Sequence, residues 1–222
     1  MIRLALTKGR IEEKAVELLE LAGYDCEELR NKGRRLLFKT GGEEIEMVLA
    51  KAADVVTYVE RGVCDAGIVG EDTIMENGTC LYETLDLQFG KCRFALAGMK
   101  GANFYDGYAH KVIASKYPKV TKNYFNSKGL DIEVVKIEGS VELAPLLKLA
   151  DAIVDIVETG STLKENGLEV YEEIAQISAR LVLNTASVKL KRDEIGTFVD
   201  RMSGAVSAEA AKKESEKNAK SI

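Results

Sequence analysis

The stretch Asp155-Ile-Val-Glu-Thr-Gly-Ser-Thr-Leu163 concentrates the groups best suited to chemistry in this chain. An apolar run ends there in a Thr-Gly-Ser-Thr turn, and the residues beyond it read as a short helix stopped by Gly167. Gly160 lets the backbone approach a ligand closely. The hydroxyls of Thr159, Ser161 and Thr162 stand beside helix N-terminal amides that have no partner within the helix. Donors and dipole together favour a phosphate group. Asp155 and Glu158 add carboxylates that can accept hydrogen bonds from ribose hydroxyls or help to hold a magnesium ion. A plain strand-to-helix turn with hydroxyl caps has the same local pattern, so the wider chain must decide between the two.

That chain has 222 residues and a net charge of −5, with acidic and basic residues interleaved. A nucleic-acid partner would need a basic stripe, and the densest basic cluster is Lys32, Arg34, Arg35 and Lys39, enough for one polyphosphate. Cys26, Cys64, Cys80 and Cys92 form no Cys-x-x-Cys pair and His110 stands alone, which argues against a zinc site. Free, mostly buried thiols in a reducing cytosol and a structural or solvated His110 are expected instead. The apolar run Leu4 to Leu6 is too short for a signal-peptide core, and no stretch approaches membrane-spanning length, so a cytoplasmic chain is expected.

The elements that must position these groups alternate. Strands are predicted at Ile2–Leu6, Leu36–Phe38, Ile45–Leu49, Asp65–Val69, Arg93–Ala97, Val112–Ala114, Ile132–Ile137, Ala152–Val157 and about 180–184. Helices are predicted near 11–22, 52–61, 118–128 and 141–150, with Pro145 delaying the regular part of the last. This is an α/β chain with mainly parallel sheets covered by helices. Val63–Thr73 and Leu149–Thr159 each run from a helix end through Asp-Ala into an apolar strand and a polar turn. Two similar lobes with a ligand cleft at their strand ends would explain that repeat. The lobes are expected at 1–90 plus about 180–206 and at 91–179. Ile195, Phe198, Val199, Met202 and Val206 share a helix face, and a polar tail, 207–222, is expected to fray.

The context of the phosphate-like turn, Glu142 through Leu163, closely resembles the signature region of the ATP phosphoribosyltransferases of histidine biosynthesis. Ala5-Leu-Thr-Lys-Gly-Arg10, Gly67-Ile-Val-Gly-Glu-Asp-Thr73 and Gly90-Lys-Cys-Arg93 are similar to that family too, in order, over about residues 2–200. The resemblance implies two lobes like those of type II periplasmic binding proteins, with the active site in the cleft between them. It implies transfer of phosphoribose from phosphoribosyl pyrophosphate to N1 of the adenine of ATP, with release of pyrophosphate and a requirement for Mg2+. On that likeness Glu158, Thr159, Gly160, Ser161 and Thr162 would hold the 5′-phosphate, with Asp155 nearby.

Such a reaction needs no nucleophilic side chain and no base. It needs alignment of two anionic substrates and positive charge on the leaving pyrophosphate. Lys8, Arg34 and Lys51 are the candidate catalytic cations. Lys8, Gly9, Arg10, Asp72 and Glu142 are the candidate ATP or pyrophosphate contacts. A solvated surface charge is the other reading of each cation, and a helix-cap role that of Asp72. Lys51 departs from the family, which often has Arg there; lysine keeps the charge and loses the bidentate fork. The resemblance is to the short form, so a histidyl-tRNA-synthetase-like regulatory subunit and a homodimer within a hetero-oligomer are expected. The competing readings are a two-lobed binding protein without catalysis and a phosphoribosyltransferase of another fold.

Overall fold

The computed structural model describes residues 1–40, 44–106 and 110–219, with side chains to residue 215. The chain folds as two compact units, Met1–Gly90 with Ser178–Ile222, and Lys91–Ile177. In order, it forms β1 (Ile2–Thr7), α1 (Arg10–Leu21), α2 (Glu27–Arg30), β2 (Leu37–Lys39), β3 (Ile45–Ala50), α3 (Ala52–Glu60), β4 (Ala66–Gly70), α4 (Glu71–Asn77) and β5 (Tyr82–Asp86). The second unit contributes β6 (Cys92–Met99), β7 (Lys111–Ser115), α5 (Pro118–Ser127), β8 (Ile132–Lys136), α6 (Leu143–Leu146), β9 (Ala152–Val157), α7 (Ser161–Glu165) and β10 (Leu168–Ile177). The chain returns to the first unit with β11 (Ala179–Leu183), α8 (Ser187–Leu190) and α9 (Arg192–Ala219).

The first sheet has the order β2-β3-β1-β4-β11-β5. Strands β3, β1 and β4 are parallel. Strand β11 runs against β4, and β5 runs against β11, so β5 again points with the parallel core. Side-chain alternation sorts the two faces. Ile2, Leu4 and Leu6 face the layer made by α1 and α9, with Leu18, Leu19, Phe198 and Met202. Ala5, Val69 and Val182 face Val55, Val56 and Val59 of α3. That helix lies close to the sheet: a Cβ on Gly67 would fall 2.8 Å from Val59 and 2.9 Å from Val55. The glycine of the Asp-Ala-Gly-Ile-Val-Gly segment is therefore set by packing.

The second sheet has the order β10-β6-β9-β7-β8. Its parallel core is β9, β7 and β8, and β6 runs antiparallel between β9 and β10. Ala95, Ile153, Val157 and Leu163 share one apolar cluster with Val141 and Ala144. The turn after β9 is thus anchored by its flanking residues, Val157 before it and Leu163 after it.

Three local expectations are corrected. The helix predicted at 141–150 is the single turn of α6, because Pro145 offers no N–H and Lys148 enters the left-handed region at φ 58°. Strands β5 and β10 add to the predicted set; both are charged, half-exposed edges of their sheets. The tail from Ser207, expected to fray, continues α9 as helix to Ala219. Its Ala, Glu and Lys residues are strong helix formers, and Lys213 pairs with Glu209 at 2.5 Å one turn away. Residues 220–222 of that tail lie outside the described residues.

Candidate active-site groups

In the first unit the carboxyl ends of the parallel strands share one edge. Thr7 is level with Ala50 and Leu6 with Ile68, and the Lys8 N–H donates to the Ala50 carbonyl at 3.0 Å. Lys8, Gly9 and Arg10 follow β1, Lys51 follows β3, and Asp72 opens α4 directly after β4. Strand β2 is antiparallel to β3, so its start lies at this edge: Leu49 N–H donates to the Leu36 carbonyl at 2.9 Å. Arg34 sits in the turn Lys32–Arg35 just before it, closed by Arg35 N–H to the Lys32 carbonyl at 3.1 Å. The residues singled out from the first unit's sequence therefore converge on one sheet edge.

The structure also separates the members of the basic cluster. Lys32 is tied to Glu12, and Arg35 pairs with Glu28 and lies over the Phe38 ring. Arg34, Lys8 and Lys51 are exposed and form no ion pair among the described residues. Arg10 is exposed and has an interaction of its own. Gly9, at φ 95°, is the N-cap of α1 and holds a conformation that L side chains rarely adopt. Glu12, buried at 5 % exposure, accepts the Gly9 N–H at 3.4 Å, and its other oxygen accepts Lys32 Nζ at 2.5 Å. Asp72 folds back over Gly70, where a Cβ would meet Asp72 Oδ1 at 2.1 Å, and it accepts the Thr73 hydroxyl at 3.2 Å. The cap reading of Asp72 and a ligand role remain compatible.

In the second unit β9 delivers the Thr-Gly-Ser-Thr turn. Gly160 is left-handed at φ 80° and starts α7, with Lys164 N–H donating to the Gly160 carbonyl at 3.1 Å. A Cβ there would meet only Val157 Cγ1, at 3.7 Å. The glycine is demanded by backbone conformation, while its space is open. Thr159 and Ser161 hydroxyls lie 3.0 Å apart, and Thr159, Ser161, Thr162 and Glu158 are all exposed. Asp155 is half-buried; burial pushes its carboxyl above the ordinary value, Glu142 adds to the rise, and the Ile156 N–H and Lys116 oppose it. Glu142 occupies the N-cap position of α6 without a side-chain cap hydrogen bond, and its charge reaches Asp155 through space.

Sequence reasoning missed Lys116, at the carboxyl end of β7, and the Glu12–Lys32 link. Only the strand register and the three-dimensional placement of residue 32 expose them. His110 is exposed, as expected for a solvated residue. Cys26 and Cys64 are buried and their thiols are pushed up to about 11 by burial; Cys80 is exposed and Cys92 half-buried. No group of three or more His, Cys, Asp and Glu residues with metal-binding geometry occurs among the described residues. Nor is any described helix long and apolar enough to cross a membrane.

Comparison with known proteins bears on both units. Residues 51–204 match the family described as HisG: ATP phosphoribosyltransferase. An ATP phosphoribosyltransferase of Clostridium kluyveri is 60% identical over 201 residues, covering 90% of this chain and 92% of its own length. One of Bacillus cereus is 55% identical over 201 residues, covering 90% and 95%. Among solved structures, a chain from the ATP phosphoribosyl transferase (HisG:HisZ) complex of Thermotoga maritima superposes with a TM-score of 0.80 at 37% identity, covering 94% of this chain and 100% of its own. The periplasmic aliphatic sulphonate binding protein SsuA of Escherichia coli superposes at 0.58 with 14% identity, covering 96% and 75%, a likeness of fold alone.

Proposed function

The chain belongs to the ATP phosphoribosyltransferase family, and on that premise we propose how its own residues carry the family's reaction, the first step of histidine biosynthesis. Phosphoribose passes from phosphoribosyl pyrophosphate to N1 of the adenine of ATP. The N1 lone pair forms the bond to C1′ as the bond from C1′ to the pyrophosphate oxygen breaks, and the exocyclic amine of the N1-substituted adenine then gives up a proton to solvent water. Pyrophosphate leaves with both electrons of the broken bond. The protein contributes alignment and electrostatic stabilisation of the departing charge.

The observation that carries this reading is the gathering of Lys8, Arg34 and Lys51, exposed and without ion pairs among the described residues, at one sheet edge. Cations held at strand ends without partners of their own are suited to a pyrophosphate. Gly9 and Arg10 border the same edge and are assigned to ATP or pyrophosphate, with Asp72 and Glu142. In the second unit the Thr159, Ser161 and Thr162 hydroxyls and the Gly160 backbone take the 5′-phosphate, and Asp155 and Glu158 take the ribose hydroxyls.

Magnesium fits this scheme as a passenger of the substrate. The ion typically keeps several waters and binds through one or two carboxylates plus substrate phosphates, and Asp155 and Glu158 are the carboxylates beside the turn. Bound there, it would neutralise part of the pyrophosphate charge. We further assign the chain to a cytoplasmic hetero-oligomer containing its own homodimer and a HisZ-type, histidyl-tRNA-synthetase-like subunit, in line with the complex from which the Thermotoga maritima neighbour comes.

Binding of inorganic pyrophosphate, followed by calorimetry, tests the cation assignment. Lys8→Met, Arg34→Ala and Lys51→Met should each weaken it by about tenfold. Wild-type affinity in all three folded variants would remove these residues from the site.

A further inference from the structure

We propose that Lys116 is a phosphate-binding residue for the phosphoribosyl substrate. The inference rests on the function proposed above and adds a contact that the motif region does not contain. The Thr159–Thr162 turn supplies hydroxyls and amides, and the acidic side chains Asp155 and Glu158 precede it, with Lys164 one turn beyond in α7. A phosphate dianion placed against that turn needs a cation at the same edge.

Strand register supplies one. Strands β7 and β9 are parallel with Ser115 level with Val154, the last of their paired residues. Ser115 Oγ donates to the Val154 carbonyl at 2.6 Å and accepts the Tyr117 N–H at 2.9 Å. This turn fixes the backbone as Lys116 leaves the strand on a level with Asp155. Neighbouring strands lie about 4.8 Å apart, within the span of a lysine's four-carbon stem.

The Lys116 ammonium is available for a ligand. It is exposed, lies 6.0 Å from the centre of the Tyr117 ring, and forms no ion pair among the described residues. Two other cations near this edge are engaged, Lys136 with Glu138 at 2.7 Å and Arg93 with Glu173 at 2.8 Å, and the charge of Lys116 also reaches Glu138. Asp155 already feels the charge of Lys116, which opposes the rise that burial and Glu142 impose on its carboxyl.

Two readouts on the full chain separate this inference from the activity assignment. In steady-state kinetics Lys116→Met should raise the Michaelis constant for phosphoribosyl pyrophosphate by about tenfold or more and leave that for ATP unchanged. Lys116→Arg should recover most of the loss, and Lys122→Met, an exposed charge control on α5, should match wild type. Calorimetry with ribose 5-phosphate, which needs no turnover, should show the same ranking even if the activity assignment failed. Unchanged ribose 5-phosphate affinity in a folded Lys116→Met variant would overturn the proposal, as would a wild-type chain that does not bind ribose 5-phosphate.

Discussion

The Glu12 carboxylate joins two cationic turns: Lys32 Nζ donates to one oxygen at 2.5 Å, and the Gly9 N–H donates to the other at 3.4 Å. Lys32 begins the turn that carries Arg34, and Gly9 lies between Lys8 and Arg10. A buried carboxylate thus fixes the spacing of the turns that carry Lys8 and Arg34, which form no ion pair among the described residues, an arrangement that favours preorganisation over mere charge.

Glu12→Gln keeps the shape of this link and removes its charge. The expected result is a loss of about 1 kcal/mol in stability, modest because Lys32 is 44% exposed. Activity should fall further than stability alone explains, with the Michaelis constant for phosphoribosyl pyrophosphate rising several-fold. Kinetics unchanged in a variant with lowered Tm would make the pair purely structural.

Arg34 and Arg35 are adjacent in sequence and opposite in circumstance. Arg34→Ala should reduce kcat/KM by at least about tenfold, with Arg34→Lys recovering only part, since an ammonium cannot make the bidentate pair. Arg35→Ala should cost stability through its contacts with Glu28 and Phe38 and leave the kinetics near wild type. Equal kinetic losses at the two positions would contradict the assignment.

Gly160→Ala tests the phosphate turn. The added Cβ finds no close protein neighbour, so the loss of stability should be the strain of a left-handed alanine, about 1–2 kcal/mol. Binding of phosphoribosyl pyrophosphate should weaken far more than that of ATP, with a still larger effect in Gly160→Val. An unchanged Michaelis constant for phosphoribosyl pyrophosphate in folded variants would exclude a close approach of substrate to this backbone.

Asp155 makes a pH prediction with a definite sign. Its carboxyl is raised above 3.8, first by burial and then by Glu142, so the native state holds this proton more tightly than the unfolded chain. Stability is then lost as pH rises from 3.8 through the raised value. Asp155→Asn should therefore raise Tm at neutral pH while lowering activity, and the gain should vanish at pH values below 3.8. A gain independent of pH would point to packing instead of charge.

Much of this was legible in the sequence where side chains follow a period. Ile2, Leu4 and Leu6 alternate against Ala5, and the spacing of Ala15, Val16, Leu18 and Leu19 announces one helix face. The edge strands escaped because Tyr82–Asp86 and Leu168–Ile177 are half-exposed and charged, so burial leaves no clear alternation. Over residues 207–219 the lack of apolar surface points to disorder, while local helix propensity and i,i+4 pairing extend α9. At the site, motif residues at strand ends could be named in advance. Lys116 could not, because its place beside Asp155 depends on register between strands distant in sequence.

The decisive measurement incubates the purified full chain, with and without a HisZ-type subunit, with ATP, phosphoribosyl pyrophosphate and Mg2+. Pyrophosphate and the nucleotide product are measured together. Pyrophosphate release should require both substrates and match one-to-one the yield of ATP carrying phosphoribose on N1. Release of neither product by the folded chain, alone or with the subunit, would contradict the proposed function, as would pyrophosphate formed without the N1 adduct.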